Sequence, residues 1–491
     1  MSNQTNPPSS NPRRADALDA LRGLAILAML LSGQLPFGEG ALPSWMYHAQ
    51  VPPPKHEWIG TLPGITWVDL VFPFFLFSMG AALPLALYRR LEQGWSKSKT
   101  IFSALERGFL LLFFALYVQA IRPYVLSDNP GMATWLLALF AFLLLFAILT
   151  RLPPAWKASV RWMIRATGWT GVILFLALAR YPKGEGFSLS RYDIIIVVLA
   201  NMAVFGTLVW LFTRERLLIR LGILGLLCAF RLSNMPRAVP GWPYDLWSWP
   251  PPQWTHGLYS FYYLQYLFIV IAGTIAGDLI HEWLLEREFA ASDAPSLSHS
   301  SWPRWQHASI AGLMATMVLV ALIGLKARWL LPTTLALFGL LCLGWFLLRA
   351  PANSSERLIQ KLFNWAIYWV VLGLCFEPYE GGIKKDKATM SYYFVTTGLA
   401  ICTFIFFMIV LESFGRRRWL QVLIDNGQNP MIAYAGINNF IIPLLALVSA
   451  DKVLNAIVIS PWLGFVKALI ITILLALFVS FCTRRKIFWR T

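Results

Sequence analysis

The sequence predicts an all-α fold, a polytopic helix bundle integral to a membrane, and three observations carry that prediction. Hydrophobic residues make up 57% of the 491 and charged residues only 13%, roughly half the charged share of an average soluble domain. Mean hydropathy is +0.59. Apolar runs long enough to cross a hydrocarbon core of roughly 30 Å as a helix recur from residue 17 to residue 482, with no long polar stretch between them.

Those runs place about fourteen spans, within a range of about 10–14. The first half of the chain holds 17–37, 66–88, 101–123, 132–150, 166–181, 193–213 and 216–233. The second half holds 258–280, 307–326, 329–349, 362–378, 391–413, 428–449 and 463–483. The span at 216–233 is short, and 428–449 is interrupted by Gly and Asn. The chain therefore reads as a flexible, Pro/Ser/Asn-rich tail over 1–16 and a single transmembrane domain over 17–491. No short apolar core with a small-residue cleavage site opens it, so no removable signal peptide is expected.

The formal net charge of +17 does not point to nucleic acid, because the basic residues are scattered through short loops instead of forming one face. Assigning alternate loops to opposite sides gathers most of the 41 Lys and Arg on one side, among them Arg89, Arg90, Arg214, Arg216, Arg416–Arg418 and Arg484–Lys486. The positive-inside rule then puts both termini in the cytoplasm and loop 38–65 outside. Two further outer segments exceed hairpin length, 234–257 and 379–390. The Trp- and Pro-rich 234–257 reads either as an interfacial aromatic belt or as a lining for a sugar-like ligand. The basic-side connection 281–306 contains "ASDAPSLSHSS" and reads as a flexible linker. The five cysteines lie in or at the ends of apolar runs with no CxxC pair, so neither a disulfide framework nor a metal cluster is expected.

Scarce polar residues inside the apolar runs are the candidates for chemistry. Asp19 and Arg22, three apart, share a helix face and can pair. They form a structural lock between helices, or Arg22 faces an anionic ligand. Asp69 sits one turn inside the second span, where it either caps the helix or orients an imidazole for base catalysis. His48 and His56 stand in the loop just before it, separated by the stiff "VPPPK". Too few further ligands converge there for a metal site. The stretch "DNGQNPMIAYAGINNF", 425–440, carries Asn429 and Tyr434 among several amides. It reads as a polar lining, a broken helix, or simple helix adhesion.

Taken together, these segments resemble the heparan-alpha-glucosaminide N-acetyltransferase family and its bacterial relatives among transmembrane acyltransferases. The resemblance rests on Leu18-Asp19-x-x-Arg22-Gly23, on an outer-loop histidine, and on Gly64, Thr66 and Asp69 through Pro73. It continues with Lys385, Thr389, Ser391 and Tyr392, then Asn429 and Tyr434. It implies that acetyl-CoA is the co-substrate, with no metal, and that acetyl passes to an extracytoplasmic amino sugar or glycan. His56 or His48 would be the general base or acyl carrier, with Asp69 as its partner. Asp19, Arg22, Asn429 and Tyr434 would hold the cofactor, and Gln34, Trp58, Lys385 and Ser391 the acceptor. His56 is thirteen and His48 twenty-one residues before Asp69; "SWMYHA" favours His48, but the shorter spacing and "KHEWIG" favour His56, and the expectation settles narrowly on His56. The implied setting is a bacterial inner membrane with the catalytic loop outside, lipids as partners, and a homodimer left open. A transporter or flippase for a sugar or lipid-linked sugar is the competing expectation.

Overall fold

The computed structural model describes residues 15–38, 41–235, 239, 241–250, 253–292 and 301–490. Residues 1–14 of the expected tail and the centre of the 281–306 linker lie outside the described residues. The rest is helices and loops, and the described residues include one isolated bridge, between Thr150 and Trp489, and no named strand.

We label the principal helices in chain order. They are α1 (Asp16–Ser32), α2 (Trp67–Glu92), α3 (Lys97–Ala120), α4 (Met132–Leu149), α5 (Ala158–Leu178), α6 (Ile194–Thr213) and α7 (Leu217–Leu232). Then come α8 (Leu267–Ser292), α9 (Arg304–Lys326), α10 (Leu330–Leu347), α11 (Ser354–Cys375) and α12 (Met390–Met408). The chain closes with α13 (Arg417–Gln428), α14 (Pro430–Gly436), α15 (Ile442–Leu447) and α16 (Pro461–Arg484).

Every apolar run has its helix. Eleven stretches among the described residues are long and apolar enough to span a membrane, so the chain is an integral membrane protein. Three of the expected fourteen fall short of that standard. Helices α1 and α7 have 17 and 16 residues, and α5 carries Arg161 and Arg165 in its first half. The run at 428–449 is broken: α14 passes through a π turn at Ile437–Ile441 before α15.

Helix α2 is the axis of the bundle. It packs on α8 through backbone-to-backbone approach at glycines: a Cβ on Gly80 would stand 2.3 Å from the Val270 carbonyl, and one on Gly273 2.4 Å from that of Phe77. Small residues allow this closeness where lipid offers no hydrophobic drive to bring helices together. Helices α1 and α13 cross the same way. A Cβ on Gly427 would lie 1.8 Å from the Asp19 carbonyl, and one on Gly23 1.9 Å from that of Leu423.

The first and last described segments lie at one end of the bundle. Arg417 of α13 holds Asp16 of α1 at 2.7 Å, and Arg490 N donates to the Leu149 carbonyl at 2.9 Å. This is the terminal end. The loop preceding α2 and the loop preceding α12 lie at the other, the loop end.

Candidate functional site

At the loop end the start of α2 builds its own polar centre. Thr66 is the N-cap and Asp69 the N3 residue of a capping box, so Asp69 Oδ2 accepts from Thr66 N at 2.9 Å and from Ala49 N at 3.2 Å. Its other oxygen is left free for a different task. Asp69 Oδ1 stands 2.8 Å from His48 Nδ1. Capping and imidazole orientation, two rival readings from sequence, are therefore shared between the two oxygens of one fully buried carboxylate. With Nδ1–H donated to Asp69, the second nitrogen, Nε2, keeps its lone pair. The His48 side chain is 35% exposed toward the loop end, against 0% for Asp69.

The path of the loop explains why the nearer histidine in sequence is not the one that reaches Asp69. Ile59 N donates to the Gln50 carbonyl at 2.8 Å, and Gln50 Nε2 donates to the carbonyls of Leu62 and Gly64. Residues 51–58 are thus an excursion pinched off at its base. His48 stays next to the 64–69 segment while His56 folds back. The His56 ring lies edge-on to Phe37 and Tyr47, with both centroid distances 4.6 Å, and both its nitrogens are buried without a partner. Burial also pushes the Tyr47 phenol above its ordinary pKa, and its hydroxyl donates to the Pro36 carbonyl at 2.5 Å.

A third charged group comes from the loop before α12. Lys385 Nζ lies 3.2 Å from each ring nitrogen of His48. Two ion pairs fix that loop. Glu377 pairs with Arg328 at 2.5 Å, and Glu380 pairs with Arg231 at 2.5 Å. Glu380 also accepts from Met390 N at 2.7 Å, and Gly64 N donates to the Ile383 carbonyl at 2.7 Å. Tyr392 completes the support, donating to the backbone carbonyl of Asp69 at 2.8 Å. None of these four anchoring charges was singled out in sequence, although "FEPYEGG" shows two acids in an otherwise sparse loop.

Further along α2 a cavity of about 350 Å³ opens toward the terminal end. Arg22, Arg90, Arg107 and Arg490 line it with Trp489 and Tyr434. Its wall follows α2 from Phe75 to Arg90, about 22 Å of helix rise. Phe75 is six residues past Asp69, about 9 Å along the axis, and the lining does not include His48, Asp69 or Lys385. Four cations beside an indole suit an elongated anion with a flat aromatic group. Arg107 follows Glu106 directly before "GFLLLFFALYVQA", and nothing in the sequence gives its direction.

The other expected residues divide. Arg22 donates to Asp19 at 3.2 Å and to the carbonyls of Gly427 and Ser78 at 3.1 Å, so it both locks α1 and faces the cavity. Asn429 does not line the cavity. It donates to the Ile487 carbonyl at 2.7 Å and accepts from Trp489 N at 3.3 Å, seating Trp489. Tyr434 donates to Asp193 at 2.8 Å, and Asp193 pairs with Arg122 at 2.8 Å. Asn426 donates to the Ala476 carbonyl of α16 and so serves helix adhesion, whereas Asn439 donates to the Ala435 carbonyl of its own helical stretch. Ser391 is buried with its hydroxyl unpartnered, Trp58 is exposed, and Gln34 is half-buried past the end of α1. Among the described residues no group of three or more His, Cys, Asp or Glu could hold a metal.

Residues 14–284 match a domain family described as a domain of unknown function, DUF5009. The chain is also similar to two heparan-alpha-glucosaminide N-acetyltransferases. That of Mus musculus is 31% identical over 109 residues, and that of Homo sapiens 30% over 110. Each match covers 22% of this chain and 14% of the relative's own length.

Proposed function

We propose, for a chain that belongs to the DUF5009 domain family, a membrane-embedded acyltransferase that takes acetyl from acetyl-CoA at the terminal end and delivers it to an amino sugar or glycan at the loop end. The names of the two mammalian relatives supply the acetyl group and the glucosaminide class. One observation carries the reading: His48 held at 2.8 Å by a buried Asp69, with an ammonium beside it and a cation-lined cavity further down the same helix.

The residues present fit the co-substrate. Arg90, Arg107 and Arg490 would pair with its phosphates. Its thin acyl-bearing arm would run along Phe75 toward Asp69. His48 Nε2 takes a proton from the acceptor amine or hydroxyl as that atom attacks the thioester carbonyl. The new C–N or C–O bond forms, the C–S bond breaks, and imidazolium returns the proton to the leaving thiolate. Asp69 holds the ring in the productive tautomer and balances imidazolium. Lys385 supplies positive charge to the carbonyl oxygen as it becomes anionic. Trp58 and Gln34 are the proposed acceptor contacts. In this reading the terminal end faces the cytoplasm, which the basic loops support, and His48 faces outward from a bacterial inner membrane.

The test is thiol release by the detergent-purified protein from acetyl-CoA, with and without a glucosamine-type acceptor. Acceptor-dependent release in wild type, absent in His48→Ala and retained in His56→Ala, is the expected result. A transporter of a sugar or lipid-linked sugar is favoured by the cavity wall ending short of His48. It predicts no thiol release in any of the three proteins.

A further inference from the structure

We infer that the cleft between α4 and α5 at the terminal end binds the phosphodiester headgroup of an anionic lipid. In sequence, Arg161 and Arg165 are four apart on α5 and therefore share a face. In the fold Arg151, from the connection after α4, joins them around a pocket of about 370 Å³ closed by Leu152 and Pro154. The pocket shares no lining residue with the central cavity.

The three guanidinium groups are not equivalent. Arg165 donates to the Ala147 and Thr150 carbonyls at 3.0 and 2.8 Å, so it secures the end of α4 and contributes field. Arg151 and Arg161 have no carboxylate partner among the described residues, and Arg161 Nε is buried with no acceptor. A buried donor left unmatched is costly, and an anionic oxygen entering the pocket would satisfy it. Two forked donors plus a third positive charge suit a phosphate better than a carboxylate, which a single fork already matches.

The surroundings select a lipid over a soluble phosphate. Trp156 and Trp162, close in sequence to the lining residues, are exposed, Trp162 by 71%, as indoles are at a membrane interface. Further along α5, Ile173, Leu174 and Leu178 are exposed, so the helix that carries the pocket arginines continues into apolar surface that acyl chains can cover. Basic pockets between spanning helices are a recognised class of headgroup site.

The experiment is native mass spectrometry of the full-length protein in detergent supplemented with phosphatidylglycerol or phosphatidylcholine. Wild type should retain phosphatidylglycerol in preference. R151Q/R161Q should lower that retention by roughly tenfold, while R216Q/R418Q, which removes two exposed charges from the same end, should leave it intact. Arg151→Gln alone, on an exposed side chain, should lower it measurably without risk to folding. Equal losses in the pocket and control variants would overturn the site. Inorganic phosphate at the lipid's own concentration should not displace it; displacement would overturn the lipid assignment.

Discussion

The two polar regions of this bundle hold their charges by opposite means. At the loop end the charges around His48 are tied in place: Asp69 by His48, Thr66 and Ala49, and the loop that carries Lys385 by the Arg328–Glu377 and Arg231–Glu380 pairs. The central cavity instead concentrates like charge, four arginines whose positive field is not balanced by any acid in the lining. A closed network of that kind fixes geometry to a fraction of an ångström, which proton transfer requires. A surplus of one sign attracts a mobile anion without demanding one pose. The difference matches the chemistry and the binding that the proposed function assigns to the two regions, and it can be broken by substitution at either end.

The largest expected effect is at His48. Removing a general base in His48→Ala should lower acceptor-dependent thiol release by about 10²–10⁴-fold, read in a coupled thiol assay with folding checked by thermal unfolding. Asp69→Asn should come next. The amide retains a capping acceptor but loses the charge that orients imidazole, so kcat should fall by more than tenfold with little change in donor KM. Equal activity in wild type and Asp69→Asn would remove the loop end from the reaction.

How much of this was legible before the fold was known depends on the kind of signal. Span positions follow from hydropathy alone, and each apolar run has its helix. The three that are short or charged, α1, α5 and α7, survive because the bundle buries one face of each. That Asp69 needs a partner was equally legible, since a carboxylate cannot stand alone in an apolar run. Which histidine supplies that partner was not. The answer lies in Gln50, whose amide closes the base of the 51–58 excursion, and nothing in the spacing of His48 and His56 announces a closure. Two of the cavity arginines were hidden for a related reason: Arg90 and Arg490 fall in charge-rich stretches that read as topology signals, and only the fold turns them inward, whereas Arg22 stood out as a charge within the first apolar run.

The cavity should respond to substitution with a different kinetic signature. Arg490→Gln and Arg107→Gln remove binding that is the same in ground and transition states. Donor KM should rise by about tenfold while kcat stays within about twofold, and wild-type KM should climb with salt more steeply than that of either variant. A fall in kcat with KM unchanged would move these arginines to the chemistry and erase the contrast between the two regions.

The smallest effect is expected at His56, and it sharpens the contrast most. Its ring lies edge-on to Phe37 and Tyr47, and among the described residues neither buried nitrogen has a hydrogen-bond partner. Replacing it by Phe keeps the edge-on ring packing and removes two unsatisfied polar atoms, a change worth about 1 kcal/mol or more in favour of the fold. Against this, His56 has φ near 54°, a left-handed backbone that His tolerates better than a bulky apolar residue. The two terms oppose each other, so His56→Phe should unfold within a few degrees of wild type and keep full thiol-release activity. Loss of activity with the fold intact would give the excursion a chemical role and return the two histidines to equal standing.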